Sequence, residues 1–206
     1  DITFVSDLNE TRAVIDQRCS GTCSWNDLSL ANTTWGVALS GTGTHTFSNT
    51  TLASTQRNLD VTGTGHVALT NVDLSGSNAA MSLRGPSSHV QGATLSLQSS
   101  LALGADVLDG IHHWSDVEIT KPYASQDTSS MGLKVWYGAI MLEDTTITNF
   151  ATGIEATDST ITGDTLSLVD GKEVGLSLQD SHATLDSLST RVFQTGALLS
   201  GASSLY

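Results

Sequence analysis

The side chains best suited to chemistry are concentrated in one segment of the chain. Between residues 109 and 123 lie carboxylates, imidazoles, an indole, an ammonium and a phenol, namely Asp109, His112, His113, Trp114, Asp116, Glu118, Lys121 and Tyr123. Paired carboxylates can cleave a glycosidic bond, one as acid and the other as base or nucleophile. A polysaccharide lyase would need a base and a cation that neutralises the uronate. If the chain is an enzyme, its catalytic residues are therefore predicted to be Asp109, Asp116, Glu118 and Lys121.

The same residues also have a purely structural interpretation, which we favour. Asp116 belongs to a series of turn residues described below. Glu118 lies between two aliphatic residues, so its carboxylate faces outward from a strand. His112 and His113 are adjacent and point to opposite faces of an extended chain, so they cannot share one site. We therefore expect no catalytic activity and no cofactor.

The two cysteines, Cys19 and Cys23, stand in the sequence CSGTC. Three small residues between them allow a tight disulfide loop, which suits an exported protein. Two free thiols or half of a zinc site are the alternatives, but a zinc site would need two more ligands and the chain has no second cysteine pair. His45, His66 and His89 nearly align, but they lack the local spacing of a zinc motif. We interpret them as exposed turn histidines and predict no metal site.

The elements that position these residues follow from a repeat of 22 residues. Segment 41–62 (GTGTHTFSNTTLASTQRNLDVT) aligns with segment 63–84 (GTGHVALTNVDLSGSNAAMSLR), apolar residue on apolar residue. Apolar residues alternate with Ser, Thr or Gly, which predicts short strands with one buried side. A fixed period of this size indicates stacked units. We predict an all-β protein, a right-handed parallel β-helix of roughly seven to nine coils with about 22 residues per coil, its hand following the general preference of parallel crossovers.

Columns of equivalent side chains specify the register of these coils. Four columns lie within residues 25–103: Trp25, Phe47 and Leu69; Leu30, Leu52 and Leu74; Val37, Leu59, Met81 and Leu103; Leu39, Val61 and Leu83. In the later part of the chain, Ile147 aligns with Leu168, and Ile154 aligns with Val174 or Leu176 and then with Leu198. An Asn or Asp also recurs three residues before an aliphatic residue, at Asp27, Asn49, Asn71, Asp116 and Asp144. We interpret this series as turn residues that tolerate left-handed backbone, rather than as a row of cation ligands.

Two regions are expected along the chain. Residues 1–24 form an N-terminal coil or cap that contains the CSGTC loop, and residues 25–206 form the β-helix. One coil is longer than the repeat of 22 residues. Its additional residues predict a protruding loop at about 120–132, and such loops often lie on the binding face of a solenoid. The chain stops at Tyr206 without a charged cap, so we expect the natural protein to continue beyond it.

Charge and hydropathy exclude two classes of partner. Eight Lys and Arg residues stand against 21 Asp and Glu residues, a net charge of −13. A nucleic-acid partner would need a basic stripe, which the sequence lacks. No run of 18 apolar residues is present, so this fragment is not predicted to span a membrane. An acidic surface rich in Ser and Thr suits an extracellular protein that meets neutral sugars, other proteins or cations.

Three phrases of the sequence carry a family resemblance: GHVALTNVDLSGSNAAMSLRG, AIMLEDTTITNFATGIEAT and STITGDTLSLVDGKEVGLSLQDSHATL. Residues 25 to 205 resemble the passenger domains of autotransporters, the type V secreted proteins, and in particular the pertactin-like adhesins. The resemblance implies a right-handed parallel β-helix that is exported through the periplasm and displayed outside a Gram-negative cell. It also implies adhesion, aggregation or biofilm formation, a role in virulence, and a C-terminal translocator barrel in the outer membrane. A single closely spaced cysteine pair fits that route of export.

We therefore predict a non-enzymatic adhesin that binds a glycan or protein of a host cell or matrix, or another copy of itself. Aromatic rings beside a cation suit such recognition, and the predicted contact residues are Trp114, Lys121, Tyr123 and Trp136. Both tryptophans are equally compatible with packing in the core. The alternative is a β-helix polysaccharide lyase or glycoside hydrolase, which requires a cleft with two carboxylates about 5–10 Å apart. A further alternative is a structural spacer stalk.

Overall fold

The computed structural model describes residues 2–5, 13–76, 78–85, 87–91, 94–96, 103–122 and 128–206. All regular elements in these residues are β-strands. The first seven are β1 (Ile2–Val5), β2 (Ala13–Cys19), β3 (Thr22–Asn26), β4 (Leu28–Gly41), β5 (Thr44–Gly63), β6 (His66–Ser75) and β7 (Ala79–Arg84). The next seven are β8 (Ser87–Gln91), β9 (Thr94–Ser96), β10 (Leu103–Leu108), β11 (Ile111–Ser115), β12 (Glu118–Thr120), β13 (Met131–Trp136) and β14 (Ala139–Glu143). The last seven are β15 (Thr145–Thr148), β16 (Thr152–Thr157), β17 (Thr160–Val169), β18 (Val174–Gln179), β19 (His182–Arg191), β20 (Thr195–Ser200) and β21 (Ser204–Leu205).

The strands pair in parallel and build a three-sided solenoid, whose sides we call faces A, B and C. Face A contains residues 13–19, 35–41 and 57–62, then β7, β10, β13, β16, β18 and β20. Face B contains β3, residues 44–48 and 66–70, β8, β11, β14, residues 160–163 and 182–185, and β21. Face C contains β1, residues 28–31, 50–53 and 72–75, β9, β12, β15, and residues 165–169 and 187–191.

The predicted parallel β-helix is confirmed, with about eight turns that lie about 22 residues apart in sequence. Along strands such as β11 and β14, side chains alternate between the core and the outer surface, as a strand with one buried side requires. On face A, for example, Val37 and Leu39 are each 2% exposed, whereas the residue between them is half-buried. The inward side chains of all three faces form one continuous apolar core.

Most of the predicted columns are confirmed by the strand register. Leu30 lies beneath Leu52 and Leu52 beneath Leu74, and the columns of Trp25 and Leu39 are equally in register. Ile147 pairs with Leu168, and Ile154 pairs with Leu176.

Two column positions were wrong. Met81 pairs with Ala105 rather than with Leu103, because the turn that joins them is longer than the repeat and moves the inward position along the chain. The column of Ile154 continues to Ala197, because the next turn is one residue shorter. Leu198 consequently faces outward and is 50% exposed.

The Asn and Asp series is confirmed as a set of turn residues. All five have left-handed backbone, with φ of 54° at Asp27, 51° at Asn49, 52° at Asn71, 54° at Asp116 and 45° at Asp144. Asn49 Nδ2 donates to Asp27 Oδ1 at 3.2 Å, and Asn71 Nδ2 donates to Asn49 Oδ1 at 3.2 Å. These side chains thus bond from one turn to the next and fix the corner between faces B and C.

The N-terminal segment 1–24 contributes β1, β2 and β3, which pair with the following turn through β4 and β5. The predicted loop at about 120–132 lies at the corner between faces C and A, and its residues 123–127 lie outside the described residues. Within the described parts of the chain, no helix has the length and apolar character needed to cross a membrane.

Candidate functional site

The four residues predicted to be catalytic do not come together. Asp109 lies at the corner between faces A and B, with φ of 65°, and its Oδ1 accepts a hydrogen bond from the Gly110 amide at 2.7 Å. Asp116 lies at a different corner, between faces B and C. Glu118 faces outward on face C and accepts a hydrogen bond from Thr120 Oγ1 at 2.9 Å. These carboxylates serve turns and strand surfaces and do not line one cleft.

Lys121 was predicted both as a catalytic residue and as a ligand contact, and its position contradicts a surface role. It is only 2% exposed. It continues the alternation of β12, in which Ile119 also faces inward, so its side chain begins on the core side. Its carbonyl oxygen accepts a hydrogen bond from Asn149 Nδ2 at 2.7 Å. Lys121 therefore does not display its ammonium to a ligand on the outer surface.

Trp114 was predicted to contact a ligand, and this prediction was wrong. The indole is fully buried in the core. The alternation of β11 places His112 and Trp114 inward and His113 outward, which confirms that the two histidines point to opposite faces. On the outer surface, His113 Nε2 lies 3.0 Å from Glu143 Oε2.

Trp114 belongs to a buried polar network. Its Nε1 donates to Ser88 Oγ at 3.0 Å, and Ser88 Oγ lies 2.5 Å from His112 Nδ1. His112 Nε2 lies 2.9 Å from the carbonyl oxygen of Asp109. All three hydrogen bonds can form when the His112 imidazole is neutral. Its Nε2–H then donates to the Asp109 carbonyl oxygen, and its Nδ1 accepts from the Ser88 hydroxyl.

This network resembles a nucleophile and its base, but its position argues for a structural role. Ser88 is 3% exposed and His112 is 2% exposed, so a substrate has no access to either group. Burial lowers the pKa of His112, although the hydrogen bond to the Asp109 carbonyl and the Asp109 charge act in the opposite direction. The network therefore ties β8 to β11 through a neutral histidine.

We expect the free energy of unfolding to fall as the pH is lowered from 8 to 5.5. The folded-state pKa of His112 lies below the ordinary value of 6.5, so the unfolded chain takes up protons first. The stabilisation is complete above pH 6.5 and is lost progressively as the pH falls toward the folded-state pKa. Burial lowers the pKa of His45 as well, with the same sign. Urea titrations at several pH values measure this slope, and His112→Gln should make it shallower. A slope of the opposite sign would contradict the buried neutral imidazole.

The outer surface of the sixth turn carries an exposed aromatic cluster. Lys134 Nζ lies 4.2 Å from the centroid of the Trp136 ring and 3.9 Å from Glu155 Oε1. The rings of Trp136 and Tyr137 meet edge to face, with centroids 6.3 Å apart. Trp136 is half-buried on the outer side of face A, so it remains a predicted ligand contact. Tyr137 stands at the corner between faces A and B and is 58% exposed.

Two aliphatic side chains extend this cluster onto face B. Ile111 is 71% exposed and Met141 is 41% exposed. Ile111 lies one turn below Ala139, two residues past Tyr137. We call the set Lys134, Trp136, Tyr137, Ile111 and Met141 the corner patch.

An open depression of about 300 Å³ adjoins the corner patch on face B. It is lined by Met141, Glu143, Thr162, Gly163, Asp164, Thr184 and Asp186. The lining residues come from three successive turns, because Met141 pairs with Thr162 and Thr162 with Thr184. The depression therefore combines one thioether, two hydroxyls and three carboxylates.

The cysteine pair lies at the other end of the solenoid. Cys19 and Cys23 are joined in the predicted disulfide, with Cα atoms 6.4 Å apart. His45 lies one turn above Cys23, in register with it, and is 1% exposed. The prediction that His45 is an exposed turn histidine was therefore wrong, because β5 alternates with His45 and Phe47 facing inward.

Sequence reasoning missed Lys134, Tyr137 and Met141, whose surface positions depend on the phase of the alternation in the sixth turn. The predicted contact Tyr123 lies outside the described residues. The predicted loop also lies at a different corner from Tyr137. No protein-family model matches the chain, and neither a curated protein nor a solved structure matches it.

Proposed function

We propose that the protein is a secreted or surface-displayed adhesin that binds a neutral glycan through the corner patch and the adjoining depression. The observation that carries this proposal is the depression itself, which is rich in hydrogen-bond acceptors and bordered by the exposed Met141, on the face that begins at the exposed Tyr137. Exposed aromatic rings are strong contributors to recognition, because they bury a large area with few rotatable bonds.

The chemistry of the depression favours a neutral sugar over other ligands. Carboxylates such as Glu143 and Asp186 accept hydrogen bonds from sugar hydroxyls, and the C–H side of a pyranose packs on an aromatic ring. An anionic glycan would meet three carboxylates here on a chain with a net charge of −13. Binding of a protein ligand to the same surface is an outcome of the test below.

Surface display on a Gram-negative cell, as an autotransporter passenger, belongs to the same proposal. It is supported by the resemblance in residues 25–205 and by the repeated β-solenoid, which suits extended binding surfaces. A disulfide between Cys19 and Cys23 fits a protein that meets an oxidising compartment.

The double variant Tyr137→Ala/Met141→Ser should weaken glycan binding at least tenfold. Both side chains are exposed, so their removal takes contact area from the ligand while leaving the core unchanged. A glycan and matrix-protein array first identifies the ligand of the whole chain, and titration calorimetry then compares the variants.

The matched control is Val192→Ala, which removes an exposed apolar side chain at the corner between faces C and A. Its affinity should equal that of the wild type. Equal loss in both variants, or binding to matrix proteins alone, would overturn the proposed glycan site.

A glycoside hydrolase is the second candidate, favoured by the carboxylates of Glu143, Asp164 and Asp186 in one depression. They come from successive turns, and turns of a solenoid stack about 4.8 Å apart. Such spacing is close to the roughly 5–5.5 Å between the paired carboxylates of retaining enzymes. Release of reducing ends from neutral polysaccharides would establish this activity, and Glu143→Gln and Asp186→Asn should each abolish it. Binding without release would favour the adhesin, and a chain with neither property would be a spacer.

A further inference from the structure

Three potential metal ligands meet inside the first two turns of the solenoid. Cys19 and Cys23 each offer a sulfur atom and His45 offers a ring nitrogen, and these three atoms all lie within 4.8 Å of one another. The register explains the meeting, because Cys23 of β3 pairs directly with His45 of β5. The cluster therefore joins two turns of the chain, whereas the disulfide alone links two residues of one turn.

His45 is an unusual residue for this position. It is 1% exposed, and its Nδ1 is buried without a hydrogen-bond partner among the residues that the structure describes. Buried polar atoms are almost always paired, and leaving one unpaired is unfavourable. A metal ion held with the two neighbouring sulfurs would give the imidazole a partner.

We propose that, once the disulfide is reduced, the thiolates of Cys19 and Cys23 and the imidazole of His45 bind one Zn²⁺ ion. Two thiolates and one imidazole are a ligand set that zinc accepts, with water in the fourth position. Soft sulfur ligands also select zinc over calcium and magnesium, which prefer oxygen. This inference is independent of the proposed glycan site, which lies several turns away.

The change from disulfide to zinc site is balanced in electrons and protons. A small-molecule dithiol supplies two electrons and two protons, becomes a disulfide itself, and leaves Cys19 and Cys23 as thiols. When Zn²⁺ binds, each thiol releases its proton to solvent and each sulfur forms one bond to the metal. Cys23 is only half-buried, so a reductant can reach its sulfur.

Zinc would strengthen the start of the solenoid in a way that the disulfide does not. A bond that closes a loop of five residues removes little chain entropy, so its effect is local. A metal bound to Cys19, Cys23 and His45 bridges the first turn to the second. The N-terminal turn would thus keep its attachment to the stack under reducing conditions.

The test uses the whole chain in its oxidised and reduced forms. A phosphine is the reductant, because it becomes the phosphine oxide with oxygen from water and does not compete for zinc as a dithiol would. Titration calorimetry should show one Zn²⁺ per reduced chain and no binding by the oxidised chain. Co²⁺ in place of Zn²⁺ should give thiolate-to-metal charge-transfer absorption, which reports sulfur ligation directly.

Variants separate the proposed site from adventitious binding. His45→Gln should weaken Zn²⁺ binding to the reduced chain at least tenfold, and Cys19→Ser/Cys23→Ser should abolish it. His66→Gln is the matched control, because His66 faces outward on face B and should leave the affinity unchanged. Because His45→Gln could unfold the first turn, the Tm of the reduced wild type is measured as well and should rise with Zn²⁺. No zinc-dependent rise in Tm, or an affinity unaffected by His45→Gln, would overturn the proposal.

Discussion

Trp114→Ala should lower the free energy of unfolding by about 3–5 kcal/mol, the usual range for removing a fully buried aromatic side chain. The indole is 0% exposed and packs among the inward side chains of the solenoid. Its loss leaves a cavity and also removes the donor to Ser88 Oγ. Chemical denaturation followed by circular dichroism measures the change.

Trp136→Ala is the matched control for this prediction. Trp136 is half-buried on the outer side of face A and contacts Lys134 and Tyr137 rather than the core. We expect a loss of about 1 kcal/mol or less, as for an exposed cation–π contact. If Trp136→Ala destabilised the protein more than Trp114→Ala, the inward and outward assignment of the two tryptophans would be wrong.

Gly104→Ala should destabilise the protein by about 2–3 kcal/mol, as overpacking of a well-filled core does. A Cβ atom at this position would meet the backbone carbonyl oxygen of Gly132, one turn above, and the Cγ2 atom of Ile119. The backbone oxygen cannot move aside as the end of a flexible side chain can. Face A must therefore separate from its neighbouring turn or from face C.

Gly21→Ala tests whether this effect comes from close packing. A Cβ atom at Gly21 would meet nothing within 4 Å, so the free energy of unfolding should change by less than about 0.5 kcal/mol. The urea midpoints of both variants are compared at constant m-value. Equal midpoints for Gly104→Ala and the wild type would show that the turns are stacked less tightly than the close approach of Gly132 and Ile119 to Gly104 implies.

The fold could be predicted because the repeat is a property of the sequence itself. An offset of 22 residues places Leu30 beneath Leu52 and Leu74, and the coordinates agree. The prediction failed where a turn departs from that length. Leu103 and Leu198 were misplaced because one turn is two residues longer than the repeat and another is one residue shorter, which moves the inward position along the strand.

The surface could be predicted less well, because the choice between core and solvent depends on the phase of a two-residue alternation. A shift of one residue exchanges the two sides of a strand. The alternation along β11 places Trp114 on the core side, and the continuation of β12 places Lys121 there as well. Residue types alone suggested a surface position for Lys121 and left Trp114 equally compatible with the core and the surface. Only the strand pairing of β11 and β12 decides between the two positions.

The proposed zinc ligands were not predicted as a set, although the sequence contains a signal for them. Position 45 follows position 23 by one repeat, so a strict application of the 22-residue offset places His45 directly above Cys23. Zinc motifs are ordinarily recognised from ligands close in sequence. In a solenoid, ligands one full turn apart are also close in space, as Cys23 and His45 are here.

The stacking of successive turns underlies the proposed glycan site, the proposed zinc site and the core alike, and one distance tests it most directly. Spin labels are attached at Thr46→Cys and Thr184→Cys, which lie in one column of face B, while Cys19 and Cys23 remain in their disulfide. Six turns at about 4.8 Å each predict a separation of about 29 Å between the two backbone positions, with label linkers adding a few ångströms. A narrow distribution near that value by electron spin resonance is the expected result. A separation below about 20 Å or above about 40 Å would contradict parallel, in-register stacking along the solenoid.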